Sequence, residues 1–230
     1  MRFERLASPG LPMPDLAAFS RPAEIIGGDY FDFFKYRDGS HGLVIADVSG
    51  HGVSAGMLMS SLQTAIQTMA PDSSSPAEIL ERINRFYIHN INFTTFVTIF
   101  LARYDPNDGT LTYVNSGHNP PAVFFRQTAT IRWLRRTAPA IGLAEQYIPN
   151  IETIRLSEGD MLFLYTDGLT EAFNHDMEQF GQERLAEFVR SAADLTANEM
   201  LQVVRDGINS YRGGVRLSDD LTLVALKVSG

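Results

Sequence analysis

The chain has 230 residues, 44% hydrophobic and 20% charged, a balance that suits a soluble globular fold with a sizeable core. Its net charge of −8 argues against a general nucleic-acid binder, which needs basic patches to neutralise phosphate. The absence of cysteine excludes disulfides, thiol catalysis and cysteine-ligated zinc or iron–sulfur centres. The opening residues 1–6 lack the apolar core of a secretory signal, and no window approaches 18 uninterrupted apolar residues. A cytoplasmic protein with no membrane span is the expectation.

In chain order, residues 8–14 hold three prolines and a glycine and read as an extended entry segment. A strand is expected over 16–20. Gly27-Gly28 signals a turn, and the aromatic-rich run 29–34 reads as a strand. Arg37-Asp38-Gly39-Ser40 turns the chain into Leu43-Val44-Ile45-Ala46, a buried strand. Asp47-Val48-Ser49-Gly50-His51-Gly52 follows, placing a carboxylate at a strand end, then a turn with two glycines, then a helix over 53–69. Residues 71–76 break the pattern. A second helix starts at Pro76, with Ile79, Leu80, Ile83, Phe86 and Tyr87 on one face.

The middle of the chain is β-rich. Residues 94–104 and 110–115 flank the strong turn Asp105-Pro106-Asn107-Asp108-Gly109. Residues 122–126 and 130–134 read as a further pair, and 151–156 with 161–165 as a hairpin about Ser157-Glu158-Gly159-Asp160. Two helices, 182–191 and 196–209, and a last strand over 221–228 complete the pattern. Many antiparallel strands with helix pairs set apart in sequence point to one α+β domain with a sheet core.

Four acidic points recur at strand edges or turns: Asp29, Asp47, Asp167, and the pair Asp219-Asp220. Each borders a short apolar run, so strands sharing one core would bring these carboxylates to one end of it. Two carboxylates about 5 Å apart repel by roughly 3 kcal/mol at an effective dielectric of about 20. A partly buried group of them calls for cations. Oxygen ligands without histidine or cysteine favour Mg2+ or Mn2+ over zinc. Taken singly, each aspartate also reads as a turn residue.

The run Gly27-Gly28-Asp29-Tyr30-Phe31-Asp32, then Asp47 to Gly52, Ser116-Gly117-His118-Asn119-Pro120-Pro121, Thr166-Asp167-Gly168-Leu169-Thr170-Glu171 and Ser218-Asp219-Asp220-Leu221-Thr222 resembles the bacterial SpoIIE/RsbU-type phosphatases. These belong to the metal-dependent PPM (protein phosphatase 2C-like) serine/threonine phosphatases. The motifs cover nearly the whole chain, in order. The resemblance implies a four-layer αββα sandwich of two antiparallel sheets flanked by helices. It implies a PPM-type domain over 1–230, either free-standing or the catalytic part of a longer regulatory protein.

By the same resemblance, Asp47 would bridge two Mn2+ or Mg2+ ions, with the carbonyl of Val48 as a further ligand. Asp29 would complete one ion's shell, Asp167 and Asp219 would hold the other, and Asp220 would stand beside them as a neighbour. The implied reaction is hydrolysis of phosphoserine or phosphothreonine by a metal-bridging water. The implied partner is a phosphorylated anti-anti-sigma (STAS-type) protein in bacterial signalling, with a homodimer among the assemblies allowed. His51 reads as a turn residue, and His118 and Asn119 as loop residues bracing the site. The segment from Phe173 to Gly181, with Met177 and its polar neighbours, is expected to form part of the partner-selecting surface. A reading from another class is a phosphatase fold without activity that acts as a partner-binding regulatory module.

Overall fold

The structure is a computed structural model that describes residues 14–50, 52–73, 75–90 and 95–229. Among these the elements run β1 (Asp15–Arg21), β2 (Asp29–Lys35), β3 (His41–Val48), α1 (Val53–Met69), α2 (Pro76–Asn90), β4 (Val97–Asp105), β5 (Thr110–Ser116), β6 (Ala122–Phe125), β7 (Thr130–Trp133), β8 (Glu152–Arg155), β9 (Met161–Tyr165), α3 (Asp167–Thr170), α4 (Gly181–Ser191), α5 (Ala197–Arg212) and β10 (Leu221–Lys227). They form two five-stranded antiparallel sheets with helices beside them, which is the α+β class expected. The entry segment falls outside the described residues except for Pro14, as do His51 and Thr94.

The chain divides into two compact units, and one of them spans Glu24–Pro120 and Arg135–Arg155. Its sheet has the order β2-β3-β4-β5-β8. β3 is buried at seven of its eight positions, which explains a continuous apolar run in place of strict alternation. α1 and α2 cover this sheet through Leu62, Ile66, Ile79, Leu80, Ile83 and Tyr87. Phe86, expected on the same face of α2, is instead 44% exposed. It follows Ile83 by three residues and Ile79 by seven, but the stripe turns toward Leu80 and Tyr87, leaving Phe86 at its edge.

The other unit takes in, among the described residues, 14–23, Pro121–Leu134 and 156–229. Its sheet has the order β1-β10-β9-β6-β7, with α4 and α5 packed through Leu185, Val189, Met200, Leu201, Val204 and Ile208. α5 starts with a capping box, Thr196 and Glu199 bonding each other's backbone amides, worth about 1 kcal/mol. Its last turn runs to Arg212, three residues beyond the expected end at Asn209, and closes on Gly213 at φ 56°.

The expected hairpin between 151–156 and 161–165 does not form. β8 pairs with β5 in one sheet, while β9 lies between β10 and β6 in the other. The cause is visible in burial. β8 exposes Glu152, Thr153 and Arg155 and suits an edge, whereas all five residues of β9 are buried and need a partner on each side. The turn is real, with the Asp160 amide donating to the Ser157 carbonyl at 2.9 Å. It is fastened to the end of β10, through Gly159 N to Val228 O at 2.9 Å and Val228 N to Asp160 O at 3.0 Å.

Candidate metal centre

The acidic residues fall into two pairs, one in each unit. In the first, Asp29 opens β2 and Asp47 lies one residue from the end of β3, and the two are direct partners across the antiparallel ladder. Both are partly buried. Like charges placed directly opposite on a sheet repel. Asp47 is in turn opposite Thr98 on β4, so a row Asp29–Asp47–Thr98 crosses three strands.

Gly28 stands against this row. A Cβ there would lie 2.8 Å from the Val48 carbonyl oxygen and 3.5 Å from Asp47 Oδ1. Only glycine allows that approach. The ladder continues with Val48 N donating to Gly28 O at 3.3 Å, and Ser49 Oγ accepts from Phe96 N at 2.9 Å. Gly50 and Gly52, at φ 98° and 76°, take the left-handed turn that carries the chain from β3 into α1.

The motif around His118 braces the same row. Thr98 Oγ1 and His118 Nδ1 share a hydrogen bond of 3.0 Å, and His118 N donates to Asn115 Oδ1 at 2.9 Å. Ser116 Oγ bonds Tyr147 OH at 2.8 Å and donates to the Pro139 carbonyl. Asn115, Ser116 and His118 are all buried. The link from Asp47 through Thr98 to His118 was not anticipated; the β-branched alternation of β4 gives Thr98 no distinguishing mark in sequence.

In the second unit, Asp167 is the first residue of α3, at the end of β9. Burial, Asp219 and Glu171, in that order, push its carboxyl up to about 6, against backbone amides that lower it. Gly168 makes the approach possible. A Cβ there would fall 2.0 Å from the Asp220 carbonyl oxygen and 3.1 Å from that of Asp219. Thr166 ties the two segments, its Oγ1 donating to Asp220 O at 3.3 Å and accepting from Thr222 N at 2.9 Å.

Asp219 is exposed, and its Oδ1 accepts the Asp220 amide at 2.8 Å. Asp220 is only 7% exposed, and its Oδ1 accepts the amide of Ala23 at 2.7 Å. Its side chain therefore pins the end of β1 to the start of β10. Among the described residues no three Asp, Glu, His or Cys side chains form a ready cation cage.

The donor chemistry fits a hard divalent cation. All the candidates are carboxylate or carbonyl oxygens, and each of the two pairs sets like charges close together, with Asp167 raised by burial and then by Asp219.

Residues 37–229 match the family of Stage II sporulation protein E (SpoIIE). The chain is 29% identical over 215 residues to phosphoserine phosphatase RsbU of Bacillus subtilis, covering 93% of this chain and 63% of that protein. It spans less than two thirds of the length of the curated relatives it matches. Among solved structures, the SiaA-PP2C domain of Pseudomonas aeruginosa superposes with a TM-score of 0.79 at 21% identity, over 93% of this chain and 85% of that one. RsbX in complex with magnesium gives 0.69 at 16% identity, over 93% and 94%. At these identities the structural likeness shows the fold alone, the PP2C-like α+β sandwich. No helix of the described residues is long and apolar enough to cross a membrane.

Proposed function

The chain belongs to the SpoIIE family, and on that footing we propose that it is a metal-dependent phosphoprotein phosphatase that hydrolyses phosphoserine or phosphothreonine. The observation that carries the reading is the two like-charged carboxylate pairs, Asp29 opposite Asp47 and Asp167 beside Asp219, each next to a glycine packed too closely for a Cβ. RsbU, a relative over most of this chain, bears the name phosphoserine phosphatase.

Asp29, Asp47 and the carbonyl of Val48 would hold one Mn2+ or Mg2+ ion, and Asp167 and Asp219 a second. When bound, such ions neutralise the phosphoryl oxygens and bring the pKa of a bound water toward neutrality. The chain's own contribution is positional. The β2–β3 ladder fixes the separation of Asp29 and Asp47, and Gly28 lets the chain pack against Val48 O and Asp47. Thr166 and Gly168 hold Asp167 against the Asp219 turn. Asp220 acts on the site by fixing the turn, since its carboxylate is engaged by Ala23.

The substrate proposed is a phosphorylated STAS-type anti-anti-sigma protein in a cytoplasmic signalling pathway, which follows from the motif resemblance. The test is phosphate release from a phosphorylated STAS protein by metal-stripped protein, with and without added Mn2+. Hydrolysis that depends on Mn2+ supports the reading. Tight binding of the phosphoprotein with no hydrolysis at any metal concentration would instead identify a regulatory module.

A further inference from the structure

The segment that follows α3 is built as a rigid projection. Phe173 and Gln179 pair as a short antiparallel bridge. Inside it, Asn174 Oδ1 accepts the amides of Asp176 at 3.0 Å and Glu178 at 2.9 Å, and Asn174 N donates to Glu178 O at 3.1 Å. Its base is fastened to α4 and α5. Tyr211 OH donates to the carbonyls of Glu178 at 3.1 Å and Gln179 at 3.0 Å, and Arg184 Nη1 donates to those of Gln179 at 3.1 Å and Phe180 at 3.0 Å. His175 Nε2 bonds the Gly213 carbonyl at 2.9 Å. Phe180 is buried, stacked on Phe188 and edge-on to Tyr211.

At the tip sits Met177, at φ 60° and 70% exposed. A non-glycine residue held in the left-handed region is strained, and this one recovers little by burial. The fold therefore displays an apolar, adaptable side chain to solvent where glycine would be easier. The surroundings are acidic. Glu171, Asp176 and Glu178 are exposed, while Arg184, the next arginine in the chain, is turned onto the Gln179 and Phe180 carbonyls and over the Tyr211 ring. The segment is also joined to the candidate centre, since Glu171 N donates to Asp167 O at 2.8 Å at the end of α3.

We propose that Met177, flanked by the exposed carboxylates of Asp176 and Glu178, is a docking surface for the polypeptide that flanks the phosphoserine. The partner segment it fits carries an apolar side chain and basic residues close to the phosphorylated position. Charge complementarity selects the basic residues, and the exposed thioether selects the apolar one. The inference rests on the phosphatase reading for the identity of the partner.

The test uses two synthetic phosphoserine peptides, one flanked by Lys and Leu and the other by Glu and Ser. Binding is measured by calorimetry with Mn2+ present, beside hydrolysis of p-nitrophenyl phosphate. The wild type is expected to hold the Lys/Leu peptide at least tenfold more tightly. Met177→Gly is expected to leave the melting temperature unchanged or higher, because the strained backbone is relieved, and to weaken that peptide about tenfold, roughly 1.4 kcal/mol. Its p-nitrophenyl phosphate turnover should stay within twofold. Asp176→Lys, whose side chain carries no fold contact in the segment's hydrogen bonds, should shift the preference toward the Glu/Ser peptide. Equal affinity of the wild type for both peptides, or a Met177→Gly protein that binds as the wild type does, would overturn the proposal. Failure to hydrolyse any phosphate ester would overturn the phosphatase reading, while the peptide affinities would still decide the docking surface.

Discussion

Asp29 and Asp47 are direct cross-strand partners at the end of the β2–β3 ladder, two like charges held opposite each other. Opposed like charges cost a few tenths to about 1 kcal/mol on a sheet face. The consequence is a change of sign with metal. In EDTA, Asp47→Asn should melt at or above the wild type. With Mn2+, the wild type should gain stability that the variant lacks, because a bound ligand stabilises only the state that binds it. Activity should fall at least a hundredfold, and further than for any other single ligand change. Thermal melts in both conditions check this; an Asp47→Asn protein destabilised in EDTA would show that the pair is structural.

The second carboxylate pair makes a steric prediction. Gly168→Ala puts a methyl 2.0 Å from the Asp220 carbonyl oxygen, so the chain must move. A loss of about 1–3 kcal/mol is expected, as for other overpacked sites. Asp167→Asn and Asp219→Asn should instead retain the fold and lose rate. Urea unfolding of the three variants separates the two outcomes.

Thr98 is expected to matter through His118. Thr98→Val removes the 3.0 Å hydrogen bond and keeps the shape of the side chain. A destabilisation of about 0.5–1.5 kcal/mol should follow. Thr98→Ser should restore most of it, and an unaltered Thr98→Val melt would remove Thr98 from the brace.

His41 predicts a pH dependence unrelated to the metal residues. It is buried at the start of β3, opposite Lys35 on β2 and Tyr104 on β4. Burial and then the Lys35 charge hold its pKa below 6.5. Its stabilisation is complete above the unfolded-state value of about 6.5 and is lost as the pH falls toward the folded-state value, because the unfolded chain binds the proton first. Between pH 7.5 and 5.5 the wild type should lose more stability than His41→Gln. Parallel loss in both proteins would assign the acid sensitivity elsewhere.

Much of this architecture is legible in the chain. The β4–β5 hairpin follows from Asp105-Pro106-Asn107-Asp108-Gly109, and Asp29 and Asp47 stand out because glycines and apolar strands frame them. Other features depend on distant partners. Whether β9 pairs with β8 is decided by burial on both its sides, which the turn at Ser157–Asp160 does not encode. α3 has four residues, too few for a helical period. Asp220 reads as a neighbour of Asp219, and what it holds, the amide of Ala23, lies 197 residues away in sequence and has no local mark. Met177 is exposed as its polar neighbours suggest, but the turn that holds it there, closed on the Asn174 side chain, depends on hydrogen bonds that composition does not encode.

On the proposed reading these carboxylates serve a reaction through divalent metal. The most direct measurement is phosphate release from a phosphoserine peptide by protein stripped with EDTA and then titrated with Mn2+, with bound metal counted on the same samples. No release is expected without metal, with recovery on titration and about two ions per chain at full rate, one for each carboxylate pair. Full activity in protein verified free of metal would contradict it.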